Sequence, residues 1–438
     1  MSKPIVAIVG RPNVGKSTLF NKISGKKISI VENVAGVTRD RIFTDAEWCG
    51  KAFSLVDTGG LELKSQDTMW RHIKTQVEIA IDTADVIIFV TDYKGGLTND
   101  DYEVADKLRK CNKPVVLAVN KIDNYTPDKV FDFYELGLGE PYAVSAELGL
   151  GVGDLLDDVC GHFPAYDLSM EEGAIKVAVV GKPNAGKSSL YNKLLGYERT
   201  IVSNIAGTTR DAIDTPINID GQDYVLIDTA GIRKKSAVDE DIEYYSVLRA
   251  LAAIRRADVC VIMVDASQKL TEQDVKICGY VHEQGKPCVI VMNKWDLVDK
   301  DSYTINEYEK QLQEDLKFMD YYKSIYVSVK EGLRVNKILK EVKTCYENSL
   351  RHIPTGTLNN LILESVAMNE PPTYQSKRLK IFYTTEPSVQ PPTFVFFVND
   401  TKLLHFSYKR YLENCIRKAF DFSGTPIRLV VREREEDA

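Results

Sequence analysis

The sequence lacks the features of a zinc, disulfide or membrane protein. Its eight cysteines are scattered and form no Cys-x-x-Cys pair, which argues against a zinc ribbon and a thioredoxin-type redox motif. No apolar run approaches the roughly 20 residues that a membrane-spanning helix needs. The segment before the first motif, MSKPIVAIV, is too short for a secretory signal. We therefore expect no membrane span and a cytoplasmic location with reduced thiols.

An excess of basic charge is also missing. The net charge is −7, so the chain as a whole is not a basic nucleic-acid binder, although a local basic patch is compatible with it. The 438 residues, 44% of them hydrophobic and 27% charged, suffice for about three globular domains.

The chain contains an internal repeat. GRPNVGKS begins at Gly10 and GKPNAGKS at Gly181, and the pairs VAGVTRD/IAGTTRD and DTGG/DTAG are separated by the same distance along the chain. The separation between NKID at Asn120 and NKWD at Asn293 is slightly larger. An offset that is constant at first and drifts later indicates a duplicated domain with loop insertions.

Short apolar runs alternate with amphipathic segments in each copy. Continuous runs rich in Val and Ile are typical of strands buried on both faces, and their alternation with helices predicts a doubly wound, mostly parallel α/β sheet. The motifs follow the ends of these runs, where such sheets bind ligands. The runs are Pro4–Val9, Phe53–Val56, Val86–Val90, Val115–Val119 and Tyr142–Val144, then Ile175–Val180, Tyr224–Ile227, Val259–Val264, Cys288–Met292 and Ile325–Val327.

The chain is predicted to consist of four segments. They are a first copy (1–161), an acidic linker without apolar periodicity (162–174), a second copy (175–351) and a C-terminal domain (352–438). The last segment predicts a small α+β domain with the order α-β-β-α-β. Its helices are expected around 358–366 and 408–420, and its strands at 379–383, 394–398 and 427–431.

Each copy has a Walker A loop between a predicted strand and a predicted helix. Its glycines let backbone N–H groups converge on phosphate oxygens, and the helix N-terminus favours negative charge. Lys16 and Lys187 are predicted to reach the β- and γ-phosphates, and Ser17 and Ser188 to bind Mg²⁺. The residues predicted to contact the nucleotide are Gly10, Arg11, Pro12, Asn13, Val14, Gly15, Lys16, Ser17 and Thr18, and Gly181, Lys182, Pro183, Asn184, Ala185, Gly186, Lys187, Ser188 and Ser189.

Further candidates are expected around the γ-phosphate and Mg²⁺. An aspartate after an apolar strand helps hold Mg²⁺, and the last glycine of Asp-x-x-Gly donates a backbone N–H to the γ-phosphate. A threonine at the same spacing beyond each P-loop lysine is a candidate Mg²⁺ ligand, with an ordinary loop threonine as the alternative. These residues are Thr38, Asp57, Thr58, Gly59 and Gly60 in the first copy and Thr209, Asp228, Thr229, Ala230 and Gly231 in the second.

The Asn-Lys-x-Asp motif predicts specificity for guanine. Its carboxylate accepts hydrogen bonds from N1–H and the 2-amino group of guanine, whereas adenine would leave it unpaired. The lysine can lie over the base, the asparagine can tie loops together, and a backbone N–H after the next strand can bond the base oxygen. The residues are Asn120, Lys121, Asp123, Ser145 and Ala146, and Asn293, Lys294, Asp296, Ser328 and Val329.

A catalytic glutamine is missing. Ras-like GTPases use Gln after Asp-x-x-Gly to orient water, and here the position holds Leu61 and Ile232. Either hydrolysis is slow or another group stabilises the transition state. Asn13 and Asn184 could hold a monovalent cation such as K⁺ beside the phosphates. The alternative is that these asparagines only brace the loop.

Taken together, these motifs resemble the Der (EngA) family of tandem GTPases. The C-terminal segments HFSYKRYLEN and GTPIRLVVR add to the resemblance, which covers essentially the whole chain. It implies two Ras-like domains and a KH-like domain, hydrolysis of GTP, and a role in assembly of the large ribosomal subunit, with that subunit and its rRNA as partners. Related GTPases with the same P-loop asparagine are stimulated by potassium, which implies K⁺ here. We expect a monomer.

The C-terminal domain departs from RNA-binding KH domains because it has no Gly-x-x-Gly loop. Residues 376–418 hold eight Lys/Arg against three acids, a net of +5, which indicates either a patch facing rRNA phosphates or a solvated charged face. Two other classes share the P-loop. A nucleoside or metabolite kinase would not need two Asn-Lys-x-Asp motifs, and a tRNA-modification GTPase typically has one GTPase domain and a cysteine motif.

Overall fold

A computed structural model shows how the sequence folds. It describes residues 3–25, 43–57, 77–78, 80–123, 127–163, 173–196, 214–227, 242–371, 373–374 and 377–433. The chain divides into two compact units. One comprises Met1–Glu171 with Ser236–Arg255, and the other Glu172–Lys235 with Arg256–Ala438.

The first unit contains a six-stranded sheet in the order β2-β3-β1-β4-β5-β6. The β2–β3 pair is antiparallel and the other neighbours are parallel. All residues of β1 and β4 are buried, as expected of uninterrupted apolar runs. The strands are β1 Ile5–Val9, β2 Phe43–Trp48, β3 Lys51–Asp57, β4 Val86–Asp92, β5 Val115–Asn120 and β6 Pro141–Ala143.

Helices cover this sheet and complete its core. The helices are Lys16–Ser24, Asn99–Arg109 and Val152–Gly161, with a 3₁₀ helix at Pro127–Leu136. Leu19 of the first helix and Leu156 of the last are buried with Ile8 and Val90 of the sheet. This apolar packing fixes where the strand ends and helix starts lie.

The second repeat has the same topology, with the order β8-β9-β7-β10-β11-β12 and an antiparallel β8–β9 pair. Its strands are β7 Ile175–Val180, β8 Thr215–Ile219, β9 Gln222–Ile227, β10 Val259–Asp265, β11 Cys288–Asn293 and β12 Lys323–Tyr326. The helices of this part of the chain are Lys187–Leu195, Ile242–Arg256, Glu272–Glu283, Thr304–Asp315 and Val335–Ser349, with a 3₁₀ helix at Trp295–Leu297. The predicted doubly wound α/β class is confirmed, and the antiparallel strands β2 and β8 were not predicted.

The C-terminal domain has the predicted order α-β-β-α-β. Its elements are the helix Thr355–Met368, β15 Ile381–Val389, β16 Pro392–Val398, the helix Phe406–Ala419 and β17 Arg428–Glu433, with small additions at β13 Thr373–Tyr374, β14 Lys377–Arg378 and a 3₁₀ helix at Thr401–Leu403. In the sheet β15-β16-β17, β15 is antiparallel and β17 parallel to β16. Phe394 and Phe396 of β16 pack against Leu412 and Ile416 of the second helix.

A loop of the C-terminal domain joins the second repeat within the second unit. Gly424 donates its N–H to the carbonyl of Tyr321 (2.6 Å) and accepts from the N–H of Cys288 (2.8 Å). Its φ is 75°, and a side chain there would place Cβ 2.1 Å from Sγ of Cys345. A glycine is therefore needed where the loop meets the start of β11.

Of the predicted linker, residues 164–172 lie outside the described residues. Among the helices that the structure describes, none combines the length and apolar character that crossing a bilayer requires.

Candidate nucleotide-binding sites

Glycines give each P-loop its tight turn between strand and helix. Gly15 has φ 95°, and a Cβ there would lie 2.3 Å from Nδ2 of Asn120. Gly186 has φ 104°, and its Cβ would lie 2.2 Å from Nδ2 of Asn293. The helices Lys16–Ser24 and Lys187–Leu195 begin directly after these glycines. The backbone N–H groups of each first turn therefore stand at the loop, which suits an anion.

The P-loop lysines are held by carbonyl groups of their own loops. Nζ of Lys16 donates to the carbonyl oxygens of Gly10 (2.8 Å) and Arg11 (2.9 Å). Nζ of Lys187 donates to those of Gly181 (2.6 Å) and Lys182 (2.8 Å). Burial lowers the pKa of Lys187 to about 8, an effect that the negative charge of Asp274 opposes. A phosphate that pairs with the ammonium group would favour its charged form and so offset the effect of burial.

The structure describes only some of the predicted Mg²⁺ ligands. Ser17 and Ser188 lie in the first turn of the P-loop helices, directly after the lysines, which fits a hydroxyl ligand beside the phosphates. Asp57 ends β3, as predicted. The side chain of Asp57 lies outside the described residues, and so do Thr38, Thr58, Gly59, Gly60, Leu61, Thr209, Asp228, Thr229, Ala230, Gly231 and Ile232.

The P-loop asparagines occupy an unusual backbone conformation. Asn13 has φ 66° and Asn184 has φ 62°. Asparagine tolerates this left-handed region better than most residues. The carbonyl of Asn13 also accepts a hydrogen bond from Nζ of Lys121 (2.6 Å). Bracing of the loop and binding of a cation are both compatible with this geometry.

The asparagine of each Asn-Lys-x-Asp motif joins three loops. Nδ2 of Asn120 donates to the carbonyl of Val14 (2.8 Å), and its Oδ1 accepts from the N–H of Ala146 (2.9 Å). Asn293 is 4% exposed and makes the same pair of contacts, donating to the carbonyl of Ala185 (2.9 Å) and accepting from the N–H of Val329 (3.1 Å). Since the second contact uses a backbone N–H, valine serves at position 329 as alanine does at 146.

The motif lysines are fixed by aspartates that the sequence analysis did not single out. Nζ of Lys121 lies 2.7 Å from Oδ2 of Asp92, and Nζ of Lys294 lies 2.5 Å from Oδ2 of Asp265. Burial alone would raise the pKa of both aspartates, but hydrogen bonds from the lysines and from nearby N–H groups leave each pKa below its usual value. The signal in the sequence was an aspartate at the end of β4 and of β10, at the same spacing before the Asn-Lys-x-Asp motif in both copies.

The two guanine-reading carboxylates differ in their surroundings. Asp123 accepts hydrogen bonds from Nζ of Lys94 (2.5 Å) and Oγ of Ser145 (3.0 Å), and these bonds lower its pKa. A hydrogen bond from Ser328 lowers the pKa of Asp296. Oδ1 of Asp296 is buried and has no hydrogen-bond partner in the described part of the chain. A buried acceptor without a donor suits the N–H groups of guanine.

A further pair of acids was missed. Asp101 and Asp274 are buried beside the P-loops and form ion pairs with Arg11 and Lys182. Each aspartate belongs to a capping box that a threonine begins, and the pattern recurs at the matching position of both copies.

Two sites that each combine a phosphate-binding loop with a carboxylate for guanine define the class of tandem P-loop GTPases. Residues 5–121 and 176–294 match the family described as "50S ribosome-binding GTPase", and residues 352–432 match the "KH-domain-like of EngA bacterial GTPase enzymes, C-terminal".

Curated relatives match along the full chain. The sequence is 55% identical to GTPase Der of Alkaliphilus oremlandii over 437 residues, which covers 99% of both chains. It is 56% identical to GTPase Der of Ruminiclostridium cellulolyticum and 54% identical to that of Clostridium kluyveri, with 100% of both chains covered in each case. The chain belongs to the GTPase Der (EngA) family, and it binds and hydrolyses GTP.

Proposed function

We propose that this GTPase acts in assembly of the large ribosomal subunit, with rRNA contacted by its KH-like domain. The observation that carries the proposal is the match of both GTPase copies to a family described as 50S ribosome-binding. The matched segments lie within 1–161, 175–351 and 352–438, which supports these ranges as the domains. We place the protein in the cytoplasm, where GTP and ribosomal particles occur together.

An exposed basic cluster supports the contact with RNA. Lys377, Lys380 and Lys402 have exposed side chains at the end of the C-terminal sheet where β15 begins and β16 ends. Asn399 ties these segments together, because its Oδ1 accepts from the N–H of Lys380 (2.8 Å) and its Nδ2 donates to the carbonyl of Arg378 (3.0 Å). We call these three lysines the basic cluster.

Two acids near the basic cluster accept hydrogen bonds from backbone N–H groups, and a third, Glu370, pairs with Arg378. Asp400 accepts from the N–H of Lys402 (2.9 Å), and Glu433 accepts from the N–H of Thr401 (3.1 Å). Their charge is therefore partly balanced by local N–H dipoles, which leaves the lysines available for phosphate.

One arginine of the basic segment 376–418 makes contacts within the protein. Arg417 donates to Glu413 (2.8 Å) and to the carbonyls of Phe422 (3.3 Å) and Thr425 (3.0 Å), and it lies over the ring of Tyr321. Arg417 therefore supports the loop that joins the second repeat, and it does not belong to an RNA-facing patch.

We further propose the ions that assist hydrolysis. Ser17 and Ser188 would bind Mg²⁺, which when bound neutralises charge between the β- and γ-phosphates. Asn13 and Asn184 would hold K⁺ beside the same oxygens. Their positions inside the P-loops support both assignments.

Pelleting with large-subunit particles through a sucrose cushion tests the ribosomal role. We expect stronger association with a non-hydrolysable GTP analogue than with GDP, because a switch ordered by the γ-phosphate presents a different surface. Reversal of the basic cluster (Lys377→Glu, Lys380→Glu, Lys402→Glu) should weaken it. The slope of log affinity against log salt should fall by about one for each lysine that contacts phosphate.

The helix Val335–Ser349 provides a matched control with three exposed lysines, Lys337, Lys340 and Lys343. Their reversal changes the net charge equally and should leave pelleting intact. Association that ignores the nucleotide would contradict the switch, and equal losses in both triple variants would remove the basic cluster from the interface.

A further inference from the structure

A buried ion pair connects each P-loop to a neighbouring helix. Nε of Arg11 lies 3.1 Å from Oδ2 of Asp101, whose side chain is fully buried. In the second domain, Nζ of Lys182 lies 3.2 Å from Oδ2 of Asp274, which is 1% exposed. The contact occurs in both copies although the cation differs. Neither aspartate belongs to a nucleotide-binding motif.

Each carboxylate is also fixed to the start of its helix. Oδ2 of Asp101 accepts from the N–H (3.0 Å) and Oγ1 (2.9 Å) of Thr98. Oδ2 of Asp274 accepts from the N–H (3.0 Å) and Oγ1 (2.6 Å) of Thr271. These are capping boxes of the helices Asn99–Arg109 and Glu272–Glu283. The carboxylate and helix start form one rigid group, so the paired cation is held in place.

The residue that carries the cation also holds the phosphate lysine. The carbonyl of Arg11 accepts from Nζ of Lys16 at 2.9 Å, and the carbonyl of Lys182 accepts from Nζ of Lys187 at 2.8 Å. Movement of Arg11 or Lys182 would therefore move an acceptor of the lysine that serves the β- and γ-phosphates.

We propose that Asp101 and Asp274 are positioning residues for GTP hydrolysis, which act through Arg11 and Lys182 to fix the P-loop backbone that orients Lys16 and Lys187. The competing explanation is a purely structural ion pair. Because removal of one partner leaves a buried charge unpaired and destabilises the fold, loss of activity alone does not separate the two. The test therefore follows stability and catalysis independently.

The first measurement uses Asp101→Asn in a full-length chain whose second P-loop carries Lys187→Ala, so that turnover reports on the first domain. Asparagine keeps the volume and an acceptor for Thr98 but removes the charge that faces Arg11. We expect kcat to fall about tenfold or more, since small displacements of catalytic groups are costly. GDP affinity should fall less, because GDP lacks the γ-phosphate. Asp274→Asn in a Lys16→Ala chain is the mirror experiment.

Two further variants separate positioning from stability. Arg11→Met with Asp101→Asn removes both charges, so Tm should return towards that of the parent chain, while kcat should stay low because the loop has lost its anchor. Arg11→Lys replaces the arginine with the residue that pairs with the aspartate in the second domain, and this variant should keep most of kcat. Asp106→Asn is the matched control, because it removes an exposed ion pair with Arg109 from the same helix.

The proposal predicts that kcat and Tm respond differently to the double variant. A parental kcat and KM in Asp101→Asn would overturn it. So would recovery of kcat together with Tm in the double variant, because a purely structural pair requires the two to move together.

Discussion

Nζ of Lys94 lies 2.5 Å from the carboxylate of Asp123, the side chain placed to read guanine in the first domain. Ser267 occupies the matching position in the second domain, since each residue follows by two positions the aspartate that ends β4 or β10. There, Oδ1 of Asp296 meets no donor among the described residues. Guanine must displace a lysine from its acceptor in the first domain, and no such lysine stands at the matching position in the second.

Exchange of these residues should alter the two guanine sites in opposite directions. Lys94→Ser removes the competing cation and should tighten binding of GDP to the first domain, while Ser267→Lys should weaken binding to the second. Because Lys94 is 62% exposed, screening by water limits the change to about two- to fivefold. Titration with a fluorescent GDP analogue measures it, with the other domain carrying its P-loop Lys→Ala substitution.

The same titration can contradict this expectation. Weaker binding in Lys94→Ser would show that the lysine contacts the bound nucleotide instead of competing with it. Lys107→Ser is a suitable control, since that lysine belongs to the same domain but pairs with Glu78.

Base selectivity should follow the motif carboxylates. In Asp123→Asn or Asp296→Asn, one donor of guanine loses its charged acceptor, so GTP affinity at that domain should fall by about tenfold or more. Xanthosine nucleotides, whose C2 carbonyl can accept from the new amide, should gain. Competition between GTP and XTP, with one domain altered at a time, measures the change. Undiminished preference for GTP in both variants would show that these carboxylates do not read the base.

A methyl group at the P-loop glycine should disrupt the loop. Gly15→Ala forces a left-handed alanine, at about 1–2 kcal/mol, and places Cβ 2.3 Å from Nδ2 of Asn120. We expect a lower free energy of unfolding and loss of nucleotide binding in the first domain. Gly186→Ala should do the same in the second.

Gly25→Ala is the matched control for this prediction. Gly25 ends the same helix with φ 63°, and no described atom lies within 4 Å of its Cβ position. It should lose only the conformational part of the stability and keep its nucleotide affinity. Equal affinities in Gly15→Ala and Gly25→Ala would show that contact with Asn120 is unimportant.

The parallel strands of the two large sheets were predictable from the sequence, and the antiparallel edge strands β2 and β8 were not. β1 and β4 are continuous apolar runs because both of their faces are buried. β2 reads Phe-Thr-Asp-Ala-Glu-Trp and β8 reads Thr-Pro-Ile-Asn-Ile, so each has an irregular mixture of polar and apolar residues. Their strand conformation depends on antiparallel pairing with β3 and β9, which local pattern does not encode.

The residues that bind phosphate and guanine could be predicted from the sequence, whereas contacts that depend on the order of the strands could not. Phosphate and guanine impose glycine, lysine and aspartate at fixed spacing, so the motifs were visible. The pairing of Arg11 with Asp101 depends on β1 lying beside β4 in parallel, which brings the carboxyl ends of these strands together. The alternation of strands and helices predicts a parallel sheet but does not fix the order of its strands.

The P-loop asparagines have two possible roles, bracing of the loop and binding of a cation. Asn13 and Asn184 have left-handed φ values of 66° and 62°. This backbone conformation is by itself a sufficient reason for asparagine at both positions. A bound cation, in contrast, needs the side-chain oxygen. Glycine keeps the backbone conformation and removes that oxygen, so Asn13→Gly and Asn184→Gly separate loop bracing from cation binding.

We expect the natural chain to hydrolyse GTP faster in K⁺ than in Na⁺ at equal ionic strength, because a cation beside the phosphates stabilises the charge that develops in the transition state. The variant with both glycines should hydrolyse slowly and equally in both salts. Release of phosphate is the measurement, and retained affinity for GDP shows that the loops remain folded. A glycine variant that still responds to K⁺ would assign the asparagines to loop bracing, and equal turnover of the natural chain in both salts would remove the cation from the mechanism.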